Sequence, residues 1–287
     1  MGKNHQKAKV SVSDKKVHMM DNNEMKDELS SPIAYGRTAE IYPWQDGQVL
    51  KLFHDWFGLE SIEYERRLSQ AVHASGLPVP DAGEIIQVNE RNGLIYERVD
   101  GVSMLDVFER KPWNVIRYAR QMAELHAAMH QNTVEVDIPD QRERIKGKIS
   151  QAECLSDELR ARLFAALELM PGGNQLCHGD FHPGNIMVSG RNVIIIDWID
   201  SSLGNPLSDL ARTSIIILGA VKGSKNFSFV MRTFVLFFHR VYLRHYFKLR
   251  PGGMKEYKDW LPIVAGARLN ENIKELEPWL LAQAEKV

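Results

Sequence analysis

The stretch His178-Gly179-Asp180-Phe181-His182-Pro183-Gly184-Asn185, followed by Ile186-Met187-Val188-Ser189, a Gly190-Arg191-Asn192 turn, and Val193-Ile194-Ile195-Ile196-Asp197-Trp198-Ile199-Asp200, decides how the chain is read. A carboxylate and a carboxamide lie five residues apart in a loop punctuated by glycine and proline. The two apolar runs that follow alternate around a turn and read as a hairpin, which returns the chain to Asp197. Oxygen donors from an Asn and an Asp at the two ends of one hairpin suit Mg²⁺, which binds through one or two carboxylates and leaves other positions to its substrate. On that reading Asn185 and Asp197 share a metal and Asp180 stays free for a hydroxyl.

Toward the N-terminus, Ala39–Tyr42 and Val49–Phe53 flank Asp46-Gly47 and predict another hairpin. Leu59–Ser75 has helical spacing and ends at Gly76 and Pro78. Glu84–Val88 and Leu94–Val99 predict a further hairpin, turning at Glu90-Arg91-Asn92-Gly93. Beyond Asp100-Gly101 a helix is expected over Trp113–His130, with Ile116, Ala119, Met122, Ala123 and Ala127 on its buried face. From Leu210 onward the pattern is mostly helical. The expected class is α+β, with a mobile tail over 1–29, a β-rich part over 30–98 and a helical part over 99–287.

Transfer of a phosphoryl group asks for cations around phosphate oxygens, metal ligands, and a carboxylate to orient the attacking hydroxyl. The motif H-G-D-F-H-P-G-N with I-I-D-W-I-D resembles the aminoglycoside phosphotransferase and choline kinase-like family, small-molecule relatives of protein kinases, and has the spacing of the kinase catalytic loop. The resemblance implies a protein-kinase-like bilobal fold and transfer of the γ-phosphoryl group of ATP or GTP to a small hydroxylated molecule. It implies Asp180 as catalytic base and Asn185 and Asp197 as Mg²⁺ ligands, with Asp200 an accessory acid. His178 supports the loop, and Asp209 of Leu203–Leu210 braces it. His182 takes the place of a phosphate-contacting lysine, with loop packing the alternative.

In the same resemblance Lys51 grips the α- and β-phosphates. Glu65 is its partner by spacing and Glu63 the rival. Ala34–Glu40 resembles the phosphate-covering loop, with Gly36 and Thr38 in it, although of the usual glycines only Gly36 is kept. The carbonyl of Glu97 and the amide of Val99 would hold the base at the hinge. His126 and His130 have metal-ligand spacing without an H-E-x-x-H glutamate, which favours buried helix contacts.

The 287 residues carry a net charge of −1 and 44% apolar side chains, a balance that points to neither nucleic acid nor a membrane as partner. Thr213–Val221 is far short of the roughly 20 apolar residues a membrane helix needs. No apolar run of signal length opens the chain, Gln6 stands where myristoylation wants Ser or Thr, and two cysteines without pattern fit a reducing cytoplasm. A protein kinase is disfavoured by the missing A-P-E and by the dozen residues between Asp197 and Asp209. A nucleotide-binding regulator that transfers nothing is the other alternative. Residues 213–287 hold twelve Lys and Arg against six Asp and Glu, which makes a neutral or anionic acceptor at least as good a fit as a polycation, unless acids such as Glu271 and Glu275 shape the pocket.

Overall fold

The computed structural model describes residues 29–287 except 135–136, 191 and 224–226, so all but the last residue of the tail expected over 1–29, and Arg191 of the hairpin turn, lie outside the described residues. The chain divides into two compact units: one runs to Glu63 and includes Gly83–Tyr96, the other comprises Tyr64–Ala82 and Glu97–Val287.

The first unit is built on a five-stranded sheet in the order β1-β2-β3-β5-β4. Its strands are β1 (Ala34–Tyr35), β2 (Ala39–Pro43), β3 (Gln48–Phe53), β4 (Ala82–Val88) and β5 (Arg91–Glu97); helix α1 (Leu59–Ala74) follows β3 in the sequence, and from Tyr64 on it belongs to the second unit. Alternation along β3 sends Leu50 and Leu52 into a cluster with Ile86 and Val88, and Phe53 into a second cluster with Ala39, Ile62 and Leu94. The β4–β5 turn falls earlier than the sequence suggests. Asn89 and Glu90 both take positive φ, 48° and 66°, as a two-residue hairpin turn requires. Gly93 is instead buried inside β5, where a Cβ would come within 2.6 Å of Leu50 Cδ1, so this glycine serves packing and not the turn.

The second unit continues with β6 (Val102–Ser103), α2 (Met104–Arg110), α3 (Val115–Met129), α4 (Gln141–Gln151), α5 (Asp157–Leu169) and β7 (Gln175–Cys177). Next come the hairpin β8 (Ile186–Ser189) and β9 (Asn192–Ile195), then β10 (Ser202–Gly204) and helices α6 (Pro206–Gly223), α7 (Phe229–Leu249), α8 (Met254–Arg268) and α9 (Glu277–Ala284). The hairpin gains a third strand from β6, while β7 pairs with β10. A single large apolar core joins these helices. Ala119, Met122, Ala123 and Ala127 of α3 are buried as expected, but Ile116 is 43% exposed; Val115 and Tyr118 take the inward positions. Phe238, Tyr242 and Tyr246 of α7, spaced by four, are its buried stripe, with Arg240, Arg244 and Lys248 at the surface. Among the described residues no helix is long and apolar enough to cross a membrane.

Candidate active site

The loop leaving β7 is held from below by one side chain. Asp209, buried in the first turns of α6, accepts from the backbone N–H of His178 at 2.8 Å and of Gly179 at 2.9 Å. Its Oδ2 also lies 3.1 Å from His126 Nε2 and 3.3 Å from His130 Nε2. A carboxylate only accepts, so both imidazoles donate through Nε2 and accept at Nδ1, where the Tyr242 hydroxyl (2.5 Å) and the Tyr246 hydroxyl (2.7 Å) are the donors. Burial pushes His126 down to about 3, so its ring is neutral. Burial opposes the charge on Asp209, yet the bonds from the two histidines hold its carboxyl well below the usual range. The Nε2 and carboxylate atoms lie within 4.8 Å of one another, which is metal-ligand proximity, but they satisfy one another by hydrogen bonds.

Gly179 has φ +77°, and a Cβ there would stand 2.3 Å from the carbonyl oxygen of Asp200, so only glycine lets the loop approach the turn before β10. The loop then fixes its own side chains. His178 Nδ1 accepts from the Asp180 amide at 3.2 Å, which places its proton on Nε2, donated to Ile196 O at 3.1 Å. His182 Nδ1 likewise accepts from the Gly184 amide at 3.0 Å, and its Nε2 faces Asp180 Oδ2 at 3.5 Å. Asn185 donates Nδ2 to the carbonyl and carboxylate of Asp180 at 2.9 and 3.1 Å, which turns its Oδ1 end the other way. The Ile196 amide donates to Asn185 O at 3.0 Å and brings Asp197 level with Asn185. Asp197 is exposed with φ +65°, outside the run of β9. For Asp180, burial works against ionisation, but His182, Arg212 and His178 prevail and keep it a carboxylate at any physiological pH.

Three cations that carry no sequence motif complete this part of the second unit. Arg212, one turn beyond Asp209 on α6, donates Nε to Gly179 O at 3.1 Å and lies 3.9 Å from Asp180 Oδ1. Its Nη2 also binds Glu271, which Arg268 engages at 3.1 Å. From α4, Lys148 reaches Asp200 Oδ1 at 3.1 Å and Arg144 approaches it at 3.6 Å. Position i+3 from Asp209 was the only sequence signal for Arg212; Arg144 and Lys148 are simply i, i+4 cations until α4 is placed by the bond from the Asn205 amide to Gln141 Oε1 at 2.9 Å.

The remaining expected residues fall in both units. Gly36 and Thr38 lie in the β1–β2 connection, where Gly36 N donates to Ala39 O at 2.8 Å and Thr38 O accepts from His54 N at 3.0 Å. Lys51 sits mid-β3 with its ammonium 5.3 Å from the Phe53 ring centre. Glu65 is buried in α1, whereas Glu63 is exposed. Glu97 ends β5 with its amide donated to Asp81 O at 2.9 Å, and Val99 follows, half-buried between the exposed Arg98 and Asp100.

Comparison with solved structures gives a common fold at low identity. An amicoumacin kinase, hAmiN, in complex with AMP-PNP, Ca²⁺ and Ami superposes with TM-score 0.63 at 14% identity, covering 94% of this chain and 89% of that one. Aminoglycoside phosphotransferase APH(2'')-Ib with ADP bound gives 0.59 at 14% identity over 92% of this chain and 96% of that one. Choline kinase from Cryptosporidium parvum Iowa II gives 0.55 at 15% identity, over 92% and 91%. No curated protein matches the chain. The α+β, kinase-like fold is therefore common ground, and the sequence itself goes further. The phosphotransferase enzyme family, APH, matches residues 36–257, which take in the β1–β2 connection, the whole loop from His178 and its Asp209 brace, and the chain belongs to that family.

Proposed function

We propose that the protein transfers the γ-phosphoryl group of ATP to a hydroxyl of a small molecule, with Asp180 as the base that orients that hydroxyl. The observation that carries this reading is the state of Asp180: a half-buried carboxylate, kept ionised by its surroundings and clamped by Asn185 at 3.1 Å. A base so strongly ionised acts by orienting the hydroxyl and accepting its proton late, which suits a loose transition state in which little proton transfer has occurred at bond formation. ATP, in place of GTP, is supported by the relatives whose structures carry AMP-PNP and ADP.

Asn185 and Asp197 offer a carboxamide oxygen and a carboxylate, hard oxygen donors that fit Mg²⁺. When bound, Mg²⁺ neutralises phosphate oxygens. The chain's own contribution is positional: Asp209 sets the height of the loop, Asn185 fixes the rotamer of Asp180, and His182 caps the turn after it. Lys51 and the Gly36–Thr38 segment serve the donor phosphates, Glu65 orients Lys51, and the backbone of Glu97 and Val99 holds the base. Residues 30–98 then form the nucleotide-binding part and 99–287 the catalytic part. An ATP-using enzyme with two free thiols fits the cytoplasm.

The test is ATP turnover with Mg²⁺ across a panel of hydroxylated acceptors. Acceptor-dependent ADP release that Asp180→Asn lowers about a thousandfold supports the assignment; equal rates in both proteins refute it.

A further inference from the structure

We propose that the acceptor carries a negatively charged group, held by Arg144 and Lys148 of α4 in the cleft beside the catalytic loop. The inference rests on the phosphotransfer reading above and narrows its substrate class. The cleft lies wholly within the second unit and is lined by Arg144, Lys148, Gly179, Asp200, Asp209 and Arg212 among others.

Most of the charge in that lining is already matched. The lone pairs of Asp209 are occupied by four hydrogen-bond donors, and Arg212 is paired with Glu271 and Asp180. What remains is Arg144 and Lys148 against the single carboxylate of Asp200, at 3.6 and 3.1 Å. Two cations share one carboxylate, so neither has a full countercharge of its own in direct contact. The side chains of Arg144 and Lys148 are only 24% and 26% exposed, so solvent screens their charge incompletely.

A second observation points the same way. The Nε of Arg144 is buried and has no hydrogen-bond acceptor among the described residues, while its Nη2 donates to Ile199 O at 3.2 Å. A buried N–H without a partner is costly, and a shift of the Arg144 side chain toward a carboxylate or phosphate oxygen in the cleft would give it an acceptor. Glu271, which the sequence singles out as an acid that could shape the pocket, is bridged by Arg212 and Arg268. At Arg144 and Lys148 an ammonium group would meet like charge. Gly179, the residue before Asp180, belongs to the same lining, so the acceptor class that fits carries an anionic group and a hydroxyl on one small skeleton, as in a small hydroxy acid or sugar acid.

The test uses the full chain with Mg²⁺ and saturating AMP-PNP, so that nucleotide phosphate contacts are occupied. Gluconate, glucose and glucosamine, matched in skeleton and differing in charge, are titrated by calorimetry, with inorganic sulfate as a minimal anion. The expected order is gluconate bound at least tenfold tighter than glucosamine, and gluconate weakened about tenfold by Lys148→Gln but retained by Lys148→Arg. Lys146→Gln, on the outer face of the same helix, changes nothing. Glucosamine binding as tightly as gluconate, neither anion binding, or indifference to Lys148→Gln overturns the proposal, and so does a loss of AMP-PNP affinity in place of anion affinity. A failure of the parent reading is separable: it shows as ATP turnover insensitive to Asp180→Asn, whereas Asp180-dependent turnover without anion preference sinks only the acceptor class.

Discussion

We propose phosphate chemistry for both the loop His178–Asn185 and the connection Gly36–Thr38, yet the protein invests in them very differently. The first is fixed by Asp209 on its backbone, by an imidazole pair beneath that carboxylate, and by three side chains that bind loop atoms. The second is exposed and closed by the Gly36 to Ala39 hydrogen bond, with Thr38 O tied to His54. A base that must meet a hydroxyl in one geometry needs rigidity before substrate arrives. A loop that covers phosphates through backbone N–H groups can take its final order from the ligand.

That contrast is sharpest at Asp209. Asp209→Ala leaves two histidine N–H groups and two backbone amides buried without an acceptor, and is expected to destabilise the fold by about 3–5 kcal/mol in urea denaturation and to abolish turnover. Gly179→Ala keeps the network but forces a Cβ against Asp200 O at a left-handed φ; about 2 kcal/mol of stability and most of kcat should be lost, with nucleotide affinity little changed.

The network also predicts a pH dependence. His126 is held near 3 in the folded chain against 6.5 ordinarily, so the unfolded chain binds the extra proton between those values. Stability from this group is complete above about 6.5 and falls with acidification at about 1.4 kcal/mol per pH unit, or about 2 kcal/mol from pH 7 to pH 5. His130 shifts in the same direction. Urea midpoints at the two pH values check this, and a flat profile would remove the neutral-histidine account. At the other extreme, Gly36→Ala places a Cβ 3.1 Å from Ala39 O with no left-handed strain; it should cost less than about 1 kcal/mol in stability and act a few-fold on the KM for ATP alone.

The same difference explains what the sequence could tell. The catalytic loop and its hairpin are legible because their residue types are chemically forced: a glycine where a carbonyl crowds the chain, a carboxylate and a carboxamide at fixed spacing. The hairpin of the first unit was legible in kind but not in its turn, because Asn89 and Glu90 adopt left-handed backbone while the glycine that looked like turn chemistry packs on Leu50. Ile116 was assigned inward by periodicity alone, and a shift of one position on α3 puts Val115 there instead. His126 and His130 read correctly as buried contacts, but nothing local announces that they meet Asp209, about eighty residues away. Arg144, Lys148 and Arg212 were invisible for the same reason: a surface-type cation acquires meaning only when distant helices place it beside Asp180 and Asp200.

The most direct test of the central claim is to follow ATP by phosphorus NMR with Mg²⁺ and an acceptor panel, comparing wild type with Asp180→Asn. The account predicts a new phosphomonoester resonance growing with ADP in the wild type and reduced about a thousandfold in the variant. ADP formed without any phosphomonoester, or an ester formed equally fast by Asp180→Asn, would contradict it.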